Sequence, residues 1–205
     1  MVRAHLSRNV ILNSFLLAAV TVVYVAAVLA PVPVLAAKAA KPAKSANTTT
    51  IGRDPAKLPE PVAEMRDAIL AAVHSGKIEE LIVPIQWNEL KPDFGDVDAD
   101  KPIAGWKKLS VDGNGAEILA ILHRLLNSPY AVIRQGSDIE NNKIFVWPYH
   151  AEMPLQKLTP RQQTELLTII PASAFKKMTA DGKYNYWRIS IGADGTWHEL
   201  IKVTP

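Results

Sequence analysis

The sequence divides at residue 50, because every acidic residue lies beyond that point and a long uncharged run lies before it. Residues 10–30 contain no charged side chain, and Arg3 and Arg8 precede them. Prolines and small residues follow in the segment 31–40. A basic start, an apolar middle and a small-residue exit are typical of a secretory signal peptide. We therefore predict that residues 1–37 are a signal peptide cleaved between residues 36 and 40, and that the mature protein is periplasmic or secreted.

An uncleaved membrane anchor is the alternative interpretation of the same run. A helix over residues 10–29 would be about 30 Å long, which is enough to cross a bilayer. The protein would then belong to the inner membrane and contact it only through the amino terminus. The apolar middle, counted from Phe15, is slightly long for a signal peptide, so both interpretations stay open.

The next segment, residues 38–50, carries three lysines and no aromatic or large aliphatic side chain. It has almost no apolar surface to bury, so we predict a solvated, flexible linker. The alternative is that its lysines hold the mature protein near an anionic surface, at about 1 kcal/mol per basic residue.

Residues 51–205 are long enough for one domain and show no internal repeat. A hydrophobic fraction of 48% predicts a folded core, and the absence of cysteine excludes thiol catalysis, disulfides and thiolate-bound metals. The chain has a net charge of +3, but residues 51–205 hold all 20 acids and only 18 of the 23 basic residues. The folded part therefore has a net charge of −2, and we expect no nucleic-acid partner.

Periodicity predicts an α+β domain in which amino-terminal helices pack on a small, mainly antiparallel sheet that ends in a β-hairpin. Apolar spacing predicts a helix over residues 61–75 and a central core helix over 116–127, with Asp112 or Asn114 as its cap. Residues 78–82 fit a short helix that Pro84 breaks, and 91–110 read as a surface loop. Strand patterns follow at 130–134 and 143–149, and helices at 160–170 and 172–178.

The last hairpin can be paired in more than one register around the turn at residues 192–195. A three-residue loop with Gly195 in a left-handed bulge pairs Ile191 with Trp197 and collects apolar residues on one face. The same register pairs Ile189 with Glu199 and Trp187 with Ile201. The opposite face would then carry mainly polar residues, among them Arg188 and His198.

Aromatic residues supply the first functional hypothesis. The strand around Trp147 and Tyr149 is apolar on both faces, so either the core covers it or one face lines a ligand groove. In the groove interpretation Trp147, Tyr149 and His150 bind a ligand, and Arg188 and His198 orient it. The predicted function is a binding or accessory module, with a small molecule, a cell-wall component or a protein as partner.

A cell-envelope hydrolase is the alternative function, with Glu140 and Glu152 as carboxylates and His150 or His198 as base. No nucleophile elbow, phosphate loop, dinucleotide motif or zinc motif occurs in the sequence. The acidic segment 93–100 lacks the glycine and the closing glutamate of a calcium loop, so a solvated acidic loop is favoured. We accordingly predict no metal site and no cofactor, and leave the catalytic residues unassigned.

Four segments carry a family resemblance: 88–93 (Asn-Glu-Leu-Lys-Pro-Asp), 138–143 (Asp-Ile-Glu-Asn-Asn-Lys), 146–149 (Val-Trp-Pro-Tyr) and 191–198 (Ile-Gly-Ala-Asp-Gly-Thr-Trp-His). Together they resemble an uncharacterised family of exported proteobacterial proteins, over nearly all of residues 51–205. The resemblance implies export and a single domain, and it implies no activity, cofactor or catalytic residue.

Intact-mass measurement of the purified protein tests the predicted cleavage. We expect a mature chain that has lost the first 36 to 40 residues, because the small residues that a signal peptidase recognises lie there. A chain that begins at or before Phe15 would contradict cleavage and favour the membrane anchor.

Overall fold

A five-stranded antiparallel sheet, with its strands in chain order, organises the protein. The computed structural model describes residues 49–134 and 142–204, which all belong to the unit Ala43–Pro205. The strands are β1 (Thr50–Gly52), β2 (Tyr130–Arg134), β3 (Lys143–Trp147), β4 (Trp187–Gly192) and β5 (Trp197–Lys202). The α+β class and the closing hairpin are confirmed. The edge strand β1 was not predicted, and Thr50 belongs to it rather than to the linker.

Within residues 49–134 and 142–204, six α-helices accompany the sheet: α1 (Glu60–Ser75), α2 (Ile82–Gln86), α3 (Pro102–Leu109), α4 (Ala116–Leu126), α5 (Pro160–Leu167) and α6 (Ala172–Asp181). Short 3-10 helices lie at Pro55–Lys57, Ile78–Leu81 and Tyr149–Glu152. Helix α1 ends at Gly76, whose φ of 70° lies in the left-handed region. Helix α4 buries six apolar side chains, which confirms it as the central core helix.

Side chains cap the helices as the sequence indicates. The Asp112 carboxylate accepts hydrogen bonds from the backbone N–H groups of Asn114 and Ala116, ahead of α4. The hydrogen bond from Ser110 and these backbone bonds lower the pKa of Asp112 to about 2. Before α5, Thr159 and Gln162 form a capping box.

The predicted surface loop at residues 91–110 is wrong for its second half, which forms α3. Pro102 takes the first helical turn, where its missing N–H has no helical acceptor. Trp106 then lies fully buried, 4.7 Å from the Phe94 ring and 6.4 Å from the Trp197 ring between centroids. Burial of this indole outweighs the loop-like composition of the segment. Pro84 likewise does not break a helix but lies within the first turn of α2.

The hairpin turn confirms the three-residue loop and the pairing of Ile191 with Trp197. Gly195 has a φ of 87°, and its N–H donates to the carbonyl of Gly192 at 2.9 Å. The two further predicted pairs are wrong, because Ile189 pairs with Leu200 and Trp187 with Lys202.

An extra residue at His198 explains this shift in register. Ser190 pairs with Glu199 while Ile191 pairs with Trp197, so His198 has no partner of its own in β4. The bulge allows Trp197 and Leu200, three positions apart, both to face the helices, where both are fully buried. Glu199 therefore lies beside Ser190 on the outer face of the sheet, whereas the predicted register pairs it with the core residue Ile189.

The loop around Asp93 covers the free edge of β5. The Asp93 N–H donates to the carbonyl of His198 at 2.8 Å, and the Leu200 N–H donates to the carbonyl of Asp93 at 2.9 Å. An edge strand without such cover exposes backbone groups that can pair with another chain. The tripeptide at residues 93–95 thus has a structural role in closing the sheet.

Among the described residues, no helix is both long enough and apolar enough to cross a membrane. The predicted signal segment and the linker up to residue 48 lie outside the described residues. Residues 135–141, between β2 and β3, also lie outside the described residues.

Replacing Gly195 with alanine tests the hairpin geometry against a matched glycine, Gly113. Both have positive φ, so each alanine costs about 1 to 2 kcal/mol in backbone strain. A Cβ at Gly195 would lie 2.8 Å from the Pro61 carbonyl oxygen, whereas a Cβ at Gly113 meets nothing within 4 Å. We expect Gly195→Ala to lose about 1 to 3 kcal/mol more free energy of unfolding than Gly113→Ala, measured by urea denaturation. Equal losses would contradict the contact between the turn and Pro61.

Candidate functional site

The aromatic residues of the predicted groove lie in the interior. Trp147 and Tyr149 are each 1% exposed, and His150 is 0% exposed. Trp147 packs between the sheet and the helices, with its ring 5.4 Å from the Tyr130 ring between centroids. The other face of β3 buries Val146 beneath Tyr149. Both faces of the strand are thus covered by protein, so a ligand does not reach these three side chains in this structure.

Tyr149 instead holds α5 through a network of charges. Its hydroxyl donates to Glu165 Oε2 at 2.6 Å, and Glu165 Oε1 accepts from Arg53 at 3.0 Å and from Arg161 at 2.9 Å. Burial works to raise the pKa of Glu165, but the hydrogen bonds from Arg53, Tyr149 and Arg161 outweigh it and lower that pKa to about 2. Glu165 is therefore ionised in the folded protein at neutral pH.

His150 stacks on the Tyr149 ring, with centroids 4.0 Å apart. Its Nε2 lies 2.9 Å from the carbonyl oxygen of Gln162. Burial lowers the pKa of His150, so the ring is neutral and Nε2 carries the proton donated to that carbonyl. The ring thereby fixes α5 against the 3-10 helix at Tyr149–Glu152, and it is not accessible as a catalytic base.

Arg188 lies on the outer face of the sheet between two carboxylates. Its Nε donates to Glu199 Oε1 at 2.7 Å, and its Nη1 donates to Glu152 Oε1 at 2.9 Å. The Ser190 hydroxyl also donates to Glu199 Oε1, at 3.0 Å. Burial raises the pKa of Glu152, with Glu199 adding to the rise and Arg188 opposing it. These bonds join the 3-10 helix at Tyr149–Glu152 to the hairpin. The Arg188 guanidinium therefore already donates hydrogen bonds to side chains of the protein itself.

His198 lies at the bulge, next to Asp194 and above Gly192. A Cβ at Gly192 would lie 2.8 Å from His198 Nε2 and 2.6 Å from Asp194 Oδ1. Within the described residues, neither His198 nor His150 forms a hydrogen bond with Glu152. Glu140 lies outside the described residues. The structure thus brings Arg188 and Glu152 together but does not join either histidine to them.

A cleft of about 490 Å³ opens beside the base of the hairpin and forms the candidate site. We call it the hairpin cleft. Its walls come from α4, the ends of β4 and β5, the end of α3 and the loop after Asp93. Its lining residues are Asp93, Phe94, Gly95, Asp96, Val97, Leu109, Glu117, Ile118, Ile121, Trp187, Ile201, Lys202 and Thr204.

Apolar and polar side chains contribute about equally to the surface of the hairpin cleft. Ile118 and Ile121 of α4 are each 2% exposed, whereas Leu109 at the end of α3 is 54% exposed. Three carboxylates and one lysine, Lys202, stand among the lining residues. The arrangement can enclose an apolar ligand body and bind hydrogen-bond donors at the rim.

The packing of Phe94 shapes the wall nearest β5. Phe94 is 3% exposed and packs edge-on against Trp106 and Trp197, at centroid distances of 4.7 Å and 5.5 Å. Gly95 follows with a φ of 64°, and Asp93 Oδ1 accepts a hydrogen bond from its N–H at 2.8 Å. The anchored loop thus fixes the carboxylates of Asp93 and Asp96 at the rim.

A second concave surface lies between α1 and α4, with His74 and His123 at its edge. Its volume of about 610 Å³ is larger, but the surface is flatter and encloses less of a bound molecule than the hairpin cleft does. The two histidine rings lie 6.0 Å apart between centroids and are exposed. The hairpin cleft is therefore the better candidate for binding a small molecule.

Sequence reasoning missed the hairpin cleft because its walls come from five separated segments. The loop prediction at residues 91–110 hid α3 and with it Leu109, and the register error displaced Ile201. The one local signal is the apolar pair Leu109 and Val111, which stands between lysines and an acidic turn without a helical or strand period.

Comparisons with protein-family models, with curated proteins and with solved structures returned no match. The resemblance to exported proteobacterial proteins therefore stays a prediction. The candidate site is argued from its own geometry, and no residue role is transferred to it.

Replacing Tyr149 with phenylalanine tests the network that buries this residue. The change removes a hydrogen bond to an ionised group, so we expect a loss of about 1.5 to 3 kcal/mol in the free energy of unfolding at pH 7. Glu165 has a lowered pKa in the folded state, so the loss is complete above its ordinary pKa of 4.5 and shrinks as the pH falls toward 2.

Tyr184→Phe is the matched control, because the Tyr184 hydroxyl donates to the neutral carbonyl of Trp187 at 2.7 Å. Urea denaturation at several pH values should show a loss for this variant that does not change between pH 7 and pH 3. A loss for Tyr149→Phe that is equally insensitive to pH would contradict the assigned network.

Proposed function

We propose that this protein is an exported binding module that holds a small amphiphilic ligand in the hairpin cleft. The carrying observation is a cleft of about 490 Å³ that is lined by both apolar and charged side chains. Its volume falls within the range of about 300 to 1,000 Å³ that is usual for small-molecule sites. The proposed ligand site is therefore at the base of the hairpin and not at the buried aromatic strand that the sequence suggested.

The lining residues define the chemistry of the ligand. Leu109 and the partly exposed Trp187 and Ile201 offer apolar surface that water contacts when the cleft is empty. Covering such surface favours binding by roughly 25 cal/mol per Å². Asp93, Asp96 and Glu117 favour a ligand that carries amine or hydroxyl donors beside its apolar part.

Binding is supported over hydrolysis by the composition of the cleft. Its described lining residues include no histidine and no serine, so the cleft holds no serine–histidine pair. The carboxylate pair at Arg188, which includes Glu152, forms internal hydrogen bonds instead. A cell-envelope hydrolase remains the alternative proposal, although no described hydrogen bond joins Glu152 to His150 or His198.

Export is supported by the sequence alone, through the basic start and the uncharged run at residues 10–30. The domain would then work in the periplasm or outside the cell, joined to its lysine-rich linker. Its net charge of −2 beyond residue 50 supports a ligand other than nucleic acid.

Leu109→Glu tests the hairpin cleft, with Leu167→Glu as the matched control. Both leucines are about half exposed, at 54% and 44%, but only Leu109 lines the hairpin cleft. The probe is N-phenyl-1-naphthylamine, a neutral fluorophore with an apolar body and an amine. We expect Leu109→Glu to weaken its binding by about fivefold or more, because a charge replaces apolar contact surface.

Leu167→Glu should bind the fluorophore like the parent protein. Equal affinity in both variants, or no binding by the parent protein, would contradict the proposed site. Circular dichroism on each variant confirms that the fold is retained, which is expected because both side chains are exposed.

A further inference from the structure

Trp87 differs from the buried tryptophans in being freely accessible. It is 56% exposed, whereas Trp106, Trp147 and Trp197 are at most 1% exposed. Tryptophan supplies a large apolar face with an electron-rich π surface, so an accessible indole is well suited to binding. The hairpin cleft does not include this residue.

Asn88 fixes the backbone next to Trp87. Its Oδ1 accepts a hydrogen bond from the backbone N–H of Trp197 at 2.7 Å. Its Nδ2 donates to the carbonyls of Pro84 and Ile85, both at 3.1 Å. These bonds fix the backbone at the end of α2 against the start of β5, which places Trp87 beside the hairpin turn.

A notch of about 210 Å³ lies beside the Trp87 side chain, and we call it the Trp87 notch. Its far wall is the hairpin turn, which packs closely on the start of α1. A Cβ at Gly195 would lie 2.8 Å from the Pro61 carbonyl oxygen, which shows how closely these walls approach. The lining residues are Pro61, Glu64, Met65, Trp87, Asp194, Gly195 and Thr196.

The Trp87 notch is acidic. Glu64 and Asp194 are exposed carboxylates, and the described lining residues include no lysine, arginine or histidine. Asp194 Oδ1 accepts a hydrogen bond from the Thr196 N–H at 3.0 Å, which holds the carboxylate at the turn. Burial works to raise the pKa of Asp194, but this bond and the nearby His198 outweigh it and lower that pKa. Two negative charges thus stand beside an aromatic face.

We propose that the Trp87 notch binds an alkylammonium group. The cation would lie against the indole of Trp87, where the ring quadrupole attracts positive charge. Glu64 and Asp194 would supply the opposite charges. The volume of about 210 Å³ suits an amine head group with a few methylene or methyl groups. This site is separate from the hairpin cleft and would bind its ligand independently.

Choline and its uncharged isostere, 3,3-dimethyl-1-butanol, provide the sharpest pair of probes, because they match in shape and differ in charge. Each of the five tryptophans gives one indole N–H signal by NMR, and the signal lost in Trp87→Leu identifies Trp87. We expect choline to shift this signal with an affinity about fivefold or more above that of the isostere.

Variants of the two carboxylates test whether their negative charges contribute to choline binding. The double variant Glu64→Gln and Asp194→Asn keeps the shape of the Trp87 notch and should weaken choline binding by about fivefold or more. Leu90→Ala is the matched control, because Leu90 is 80% exposed, lies near Trp87 in the chain and does not line the Trp87 notch. It should bind choline like the parent protein.

Two sources of an alkylammonium group are separated by a further probe, N-acetyl-lysine methylamide. Tighter binding of this compound than of choline would assign the Trp87 notch to lysine side chains of peptides, and the reverse would assign it to free quaternary amines. Equal binding of choline and its isostere would overturn the proposal in favour of an apolar or sugar-stacking site. Trp87→Leu lacks the indole signal, so its choline binding is measured by isothermal titration calorimetry. Unchanged binding in this variant would overturn the proposal as well, and Leu109→Glu should leave choline binding intact.

Discussion

The extra residue at His198 is the constraint on which the carboxyl-terminal half of the fold depends. Without it, an alternating strand could not point both Trp197 and Leu200 at the helices, since they are three positions apart. With it, Trp197 reaches Phe94 and Trp106, and this aromatic group gives α3 its place. The same bulge turns Glu199 outward, where it accepts hydrogen bonds from Arg188 and Ser190. One extra residue thus determines both which side chains of β5 enter the aromatic core and which lie on the polar outer face.

The hairpin that carries this bulge also supplies a wall of each proposed site. Ile201 and Lys202, near the end of β5, line the hairpin cleft, whereas Asp194 and Thr196 in the turn line the Trp87 notch. Backbone hydrogen bonds between Asp93 and the edge of β5 attach the loop after Asp93, which lines the hairpin cleft, to the same strand. Rigid elements therefore hold both concave surfaces, as pre-organised binding requires. The two sites nevertheless differ in chemistry, since the hairpin cleft is lined by several aliphatic side chains together with charges of both signs, and the Trp87 notch pairs an indole with carboxylates.

Local rules succeeded where one segment contains its own reason to fold. The helix after Pro61 and the core helix before Pro129 follow from apolar spacing and capping, and Thr159 and Pro160 mark the start of α5. They failed where a distant contact decides. Trp106 makes a helix out of a loop-like segment because its indole is buried against Trp197, about ninety residues away in the chain. The strand at Trp147 likewise fits a groove or a core equally well in sequence, and only the layers above and below it select the core.

The sequence by itself determined the α+β class, the main helices, the hairpin turn at Gly195 and the absence of thiol chemistry, because these depend on periodicity, capping, backbone conformation and composition. Its division at residue 50 also located the acidic, foldable part of the chain. Only the tertiary structure decided the register of β5, the burial of Tyr149 and His150 and the positions of both concave surfaces. The physical reason is that burial is a property of neighbours. Leu109 and Trp87 resemble core residues in sequence, and they become candidates for binding only because no other element of the described structure covers them.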